Sequence, residues 1–158
     1  MENLETKKRQ SDKLIYIGVY LFFIGLIIGL IVPIFANPRM GVSSHIEGVL
    51  NGMFLIILGL IWNKIDLSNK WLKITYWSAI YGTFANCFGI LIAAIFNAGK
   101  MLSIAANGQE GTPVVEGIVT FSLISLSIAM LVVCVTVLIG LRRNMKANNT
   151  FFFKKPLL

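Results

Sequence analysis

His45-Ile46-Glu47-Gly48-Val49-Leu50-Asn51-Gly52-Met53-Phe54-Leu55-Ile56-Ile57-Leu58-Gly59-Leu60-Ile61-Trp62 is an apolar run about one membrane thickness long, and it opens on the only histidine of the chain. A helix needs about 20 mostly apolar residues to cross the hydrocarbon core. This run places an imidazole, a carboxylate and a carboxamide at His45, Glu47 and Asn51, at or below a membrane surface. Ionisable groups are rare at that depth and mark functional sites.

The flanking sequence repeats the pattern. Three further stretches are long and apolar enough to span, so helices are expected at about 14–34, 45–62, 71–96 and 113–141, between basic tails at 1–13 and 142–158. The expected fold is therefore all-α, an integral membrane four-helix bundle with the lipid bilayer as its solvent. With 158 residues, 56% of them apolar, 13% charged and a mean hydropathy of +0.79, the chain carries more apolar surface than a soluble domain of this size buries. The first span is expected to be retained and not cleaved as a signal peptide: its apolar run is long, Glu2, Glu5 and Asp12 dilute the basic start, and Ile34 stands where a small residue would precede a cleavage site.

The net charge of +7 does not point to nucleic acid, because the basic residues flank the spans and form no stripe with interleaved aromatics. Twelve lysines and arginines fall in the two tails and around the second connection, and only Arg39 and Lys100 in the other two connections. The positive-inside rule then places both termini in the cytoplasm, with a bacterial inner (plasma) membrane as the expected location. His45 enters the membrane from the outer side. Trp62 and Trp71 are expected in the aromatic belt beside the second connection, and Phe151 to Lys155 on the inner leaflet surface. Cys87 and Cys134 lie in apolar segments without metal-ligand spacing and read as buried free thiols.

Helix ends carry local signals. Pro38 and Gly41 are expected to break the first connection, and Ser44 with Glu47 three residues on matches a capping box that would start the second span at His45. Thr112-Pro113 does the same for the fourth span, where Glu116 sits in the first turn and suits the helix dipole. The third connection, Asn97 to Gly111, is expected to be a turn-rich outer loop over the ends of the second and fourth spans. Gly18, Gly25 and Gly29 in the first span, and Gly48 and Gly52 in the second, have the spacing of close helix contacts. No internal repeat relates the first pair of spans to the second, which disfavours a transporter.

At about 100° per residue, His45, Gly48, Gly52 and Gly59 share one face of the second span, and Glu47 pairs with Asn51 at i and i+4 on another. A flat ligand along the glycine groove would meet His45 on one side and leave Asn51 near its edge or facing a neighbouring subunit. Haem is such a ligand, since imidazole is a common axial ligand to its iron. The plainer readings are a polar interfacial cap for His45, the Ser44 capping partner for Glu47, and interhelical hydrogen bonds for Asn51, Tyr81 and Asn86.

The motif His45-Ile46-Glu47-Gly48-Val49-Leu50-Asn51-Gly52 and the run to Trp62 resemble the second helix of the small membrane isomerases that include hydroxylaminobenzene mutase and styrene oxide isomerase. Tyr81-Gly82-Thr83-Phe84-Ala85-Asn86 resembles the mutase branch. The resemblance implies a homotrimer with a b-type haem between subunits, His45 on the iron, Gly48 and Gly52 beside it, and Asn51, Tyr81 and Asn86 around a small lipophilic aromatic substrate. The expected reaction is rearrangement of an arylhydroxylamine to an aminophenol, with epoxide-to-aldehyde isomerisation as the alternative. In the epoxide branch a carboxylate from the third helix helps to orient substrate; here the third span has no aspartate. A non-catalytic haem-binding or structural subunit is the competing class, and the lone histidine disfavours a bis-histidine electron carrier.

Overall fold

The computed structural model describes residues 2–153, with side chains from 4 to 147; residues 154–158, including Lys154 and Lys155 of the expected surface segment, lie outside the described residues. Five helices follow one another: α1 (Glu2–Ile31), α2 (Pro38–Ile61), α3 (Asn69–Phe96), the single turn α4 (Ser103–Ala106) and α5 (Pro113–Phe153). Short 3-10 turns at Val32–Ile34 and Trp62–Lys64 extend α1 and α2. Four of the helices are long and apolar enough to cross a membrane, and no strand occurs among the described residues.

Set against the expected spans, three helix ends differ. Helix α2 begins seven residues before His45, because Asn37 caps it through an Oδ1 that accepts from the Met40 N–H at 3.2 Å and Pro38 takes the first helical position. Proline there is pre-organised for a helix and loses no hydrogen bond, so Pro38 starts the helix where a break was expected. Gly41 is inside α2 and makes room for the Phe35 ring, which a methyl would meet at 2.5 Å. Helices α1 and α5 also run on through the expected basic tails.

Neighbours in sequence are neighbours in space: α2 lies against α1, α3 against α2 and α5 against α3, while α1 and α5 do not approach each other among the described residues. The α1–α2 seam is a register of small residues. A methyl on Gly52 would stand 2.7 Å from the Gly18 carbonyl, one on Gly48 2.7 Å from the Gly25 Cα, and one on Gly59 2.9 Å from the Ser11 carbonyl. Without side chains at these points the backbones approach closely, the interaction that holds helices together where lipid tails remove the hydrophobic drive. The Ser11 hydroxyl donates to the Gly59 carbonyl at 2.7 Å on the same seam. On α3–α5, Thr75 donates to Thr136 at 2.8 Å and Tyr81 pairs with Ser125 at 2.6 Å.

The two ends of the bundle are tied differently. At one, Lys7 donates to the carbonyls of Asn63 and Ile65, Asp66 N–H to Gly140, and Trp62 Nε1 to Gln10. Trp62 is wholly buried and meets Tyr76 edge to face at 6.2 Å, so only Trp71 takes the expected exposed position. At the other end the Asn37 carboxamide donates to Asn97 and its backbone N–H to Ala94, joining the start of α2 to the end of α3. Glu116 is buried and accepts from the Lys100 and Gly111 N–H groups, which fixes the loop around α4. Cys87 is buried as expected, whereas Cys134 is exposed on the outer face of α5.

Candidate functional site

His45 lies on α2 where the glycine register of the α1–α2 seam runs out. Its ring packs on Gly29 of α1, and its Nδ1 stands 2.7 Å from the Gly25 carbonyl. A carbonyl only accepts, so Nδ1 donates to it, and the other ring nitrogen, Nε2, is the one available for a ligand. No partner within the described chain takes Nε2, and that nitrogen is not buried. The ring lines an open hollow of about 660 Å³ whose other walls, Leu26, Gly29, Leu30, Val32, Pro33 and Val42, are apolar. An imidazole fixed through one nitrogen with the other left free is the arrangement found at metal-ligating histidines.

Glu47 and Asn51 occupy the other edge of α2, toward α3. The Glu47 Oε2 accepts from Asn51 Nδ2 at 3.1 Å and from Asn86 Nδ2 of α3 at 2.6 Å. Glu47 therefore does not close a capping box. Ser44 is buried mid-helix and donates to the Cys87 carbonyl at 2.9 Å, leaving the carboxylate free to gather two amides from two helices. Because a carboxylate accepts only, both carboxamides must turn their NH2 groups toward it. Their Oδ1 atoms are left as oriented acceptors.

The structure brings Asn51 and Asn86 together through Glu47, which the sequence reading had not placed among the site residues. The signal was present: a carboxylate four residues before an asparagine, both below the membrane surface. Tyr81 is not part of this cluster; its hydroxyl pairs with Ser125 on the α5 side of α3. Gly48 and Gly52 do not line an open groove within the chain, since α1 fills it. Between the His45 edge and the Glu47 edge, α2 presents Ile46, Leu50, Met53 and Ile57 outward. The apolar hollow lined by His45 does not include Asn51.

Among the described residues no three His, Cys, Asp or Glu side chains converge on a point where a metal ion could be held.

A model of the styrene oxide isomerase family matches residues 10–142. The chain is 48% identical over 141 residues to the hydroxylaminobenzene mutase HabB of Ectopseudomonas oleovorans, covering 89% of this chain and 86% of that protein. It is 46% identical over 127 residues to the hydroxylaminobenzene mutase HabA of the same organism, covering 80% and 94%. No solved structure is significantly similar to it. With the family match running from residue 10 in α1 to residue 142 in α5, the chain belongs to the styrene oxide isomerase family of membrane isomerases.

Proposed function

We propose that this membrane isomerase converts arylhydroxylamines to aminophenols, with haem held on His45 and the site completed by a second copy of the chain, as in a homotrimer. The observation that carries the reading is the Nδ1 contact of His45 with the Gly25 carbonyl, which leaves Nε2 unpaired beside an apolar hollow. The residues fit the group. One axial imidazole suffices for an iron whose other ligands come from a porphyrin, and the apolar lining suits a flat macrocycle. A haem bound there supplies a Lewis acid for the oxygen of the substrate.

The residues of the chain account for the rest. Rearrangement of hydroxylaminobenzene to an aminophenol moves a hydroxyl from nitrogen to the ring, so reactant and product are isomers and no external oxidant or reductant is consumed. The Oδ1 atoms of Asn51 and Asn86, turned outward by Glu47, are acceptors for the N–H and O–H of a hydroxylamine. An epoxide has no such donors, which favours the mutase reaction over epoxide isomerisation. The apolar surroundings exclude water that would trap a cationic arene. His45 and Asn51 border opposite edges of the exposed α2 face, so a ligand touching both is best placed between two chains.

The test is the absorption spectrum and turnover of detergent-purified protein. A Soret band lost in His45→Ala, and conversion of hydroxylaminobenzene without added redox partner, are expected, with an aryl epoxide turned over more slowly. Full turnover by a haem-free preparation overturns the cofactor; preference for the epoxide overturns the substrate.

A further inference from the structure

The end of the bundle that carries the basic loops holds a second cavity, of about 580 Å³, between the N-terminal parts of α1 and α3. From α1 it is lined by Thr6, Lys7, Arg9, Gln10 and Lys13, and from α3 by Asn69, Leu72, Lys73, Tyr76 and Trp77. On a helix turning about 100° per residue, Thr6, Arg9, Gln10 and Lys13 form one stripe. Glu5 and Asp12 fall off that stripe and do not line the cavity. Four cations thus converge with no carboxylate among the described lining residues.

One of the four is already committed: the Lys7 ammonium donates to the carbonyls of Asn63 and Ile65. Arg9, Lys13 and Lys73 make no ion pair or hydrogen bond among the described residues. Three unpaired cations facing one space repel each other, and an anion placed among them removes that cost. The deeper wall is apolar and aromatic. Tyr76 is buried and Trp77 is 58% exposed one turn below Lys73, at the level where an indole sits between headgroup and acyl chain. A soluble anion has no use for that wall, whereas a lipid has a phosphate for the cations and a chain for the rings.

We infer that this cavity binds the phosphate of an anionic phospholipid from the adjoining leaflet. Arg9 offers a planar pair of donors to phosphate oxygens, and Lys13 and Lys73 add point charges. Basic pockets between membrane helices are a recurrent form of headgroup site. Because α1 contributes one wall and α3 the other, with little direct contact between those helices, the lipid bridges them. The inference is independent of the isomerase site, which lies toward the opposite end of the bundle.

The test compares lipids on the intact detergent-purified protein. Native mass spectrometry with equal amounts of phosphatidylglycerol and phosphatidylcholine is expected to show retention of phosphatidylglycerol, and thermal unfolding a midpoint raised by phosphatidylglycerol and not by inorganic phosphate. Arg9→Gln with Lys73→Gln is expected to weaken retention about tenfold or more. Lys64→Gln with Lys70→Gln removes the same charge from residues off the cavity and is expected to retain the lipid; Arg9→Lys with native Lys73 is expected to recover part of the affinity. Equal losses in the two double variants, equal retention of phosphatidylcholine, or stabilisation by inorganic phosphate as large as that by phosphatidylglycerol would each overturn the inference.

Discussion

The imidazole of His45 rests on the backbone of Gly29, where a methyl group would stand 2.6 Å from Nδ1. The α1–α2 seam sets Gly18 against Gly52 and Gly25 against Gly48, and at its next step a histidine takes the place of the second glycine. The seam that joins the helices thereby also fixes the orientation of the ring through the Gly25 carbonyl.

Gly29→Ala should therefore displace the ring and break its contact with Gly25 while leaving the helices able to insert. Loss of an orienting partner of a metal-bound histidine costs about 10- to 100-fold in affinity. With haem held on His45 as proposed, the haem-to-protein ratio of the purified variant should fall accordingly, with helix content by circular dichroism unchanged. Normal haem content in Gly29→Ala would remove the orienting role of Gly25 and Gly29.

Glu47 is expected to act as a positioning residue. Glu47→Gln leaves one carbonyl oxygen that can accept from both amides in the place of Oε2 but removes the charge that strengthens those bonds. Hydrogen bonds to a charged group contribute about 1.5–3 kcal/mol, and each 1.4 kcal/mol is about tenfold in rate. Turnover should drop about 10- to 100-fold with haem content intact, and Glu47→Asp should recover less than the native rate because its shorter chain reaches one amide better than both. Asn51→Ala in the Glu47→Gln background should cost much less than in the native protein. Additive effects would show that Asn51 does not work through Glu47.

The long apolar helices were legible because apolar length is a one-dimensional property, and the His45 to Asn51 spacing drew attention to α2 as the helix that carries the candidate residues. What was hidden depends on contacts across the chain. Ser44 and Glu47 satisfy a local capping pattern, yet Asn37 and Pro38 begin the helix earlier and free both side chains for α3. The partner that redirects Glu47 is Asn86, which no local window around α2 contains. Gly48 and Gly52 on the His45 face looked like room for a ligand, but the glycines of α1 match them in register and close that space. Trp62 sat where belt aromatics sit, and only the fold reveals Gln10 and Tyr76 waiting to bury it.

The orientation expected from the charge distribution is open to a direct check. The ends of α1 and α5 and the α2–α3 connection meet at one end of the bundle, through Lys7 with Ile65 and Asp66 with Gly140. That end carries ten of the twelve lysines and arginines among the described residues. Reporter fusions after residue 158 should read cytoplasmic, and an insertion between Asn107 and Gly108, where φ is positive at both and Gly108 has open space around it, should read external. The same side for both would refute four spans; the reverse pair would refute the orientation.

The glycines of the chain should separate into two classes under the same substitution. At Gly52 an added methyl meets the Phe22 N at 2.6 Å and the Gly18 carbonyl at 2.7 Å, and at Gly48 it meets the Gly25 Cα at 2.7 Å. Backbone atoms cannot rotate out of the way, so α1 must shift as a whole, and the close packing that replaces the hydrophobic drive in lipid is lost. Gly117, on the exposed side of α5, has nothing within 4 Å of an added Cβ. There alanine only removes the backbone entropy of glycine, a gain of up to about 1 kcal/mol in a helix. Thermal unfolding in detergent should show Gly52→Ala and Gly48→Ala lowered by several degrees or failing to yield monodisperse protein, and Gly117→Ala unchanged or raised. If Gly52→Ala unfolds at the native temperature, the α1–α2 seam is not the close backbone contact on which the placement of His45 depends.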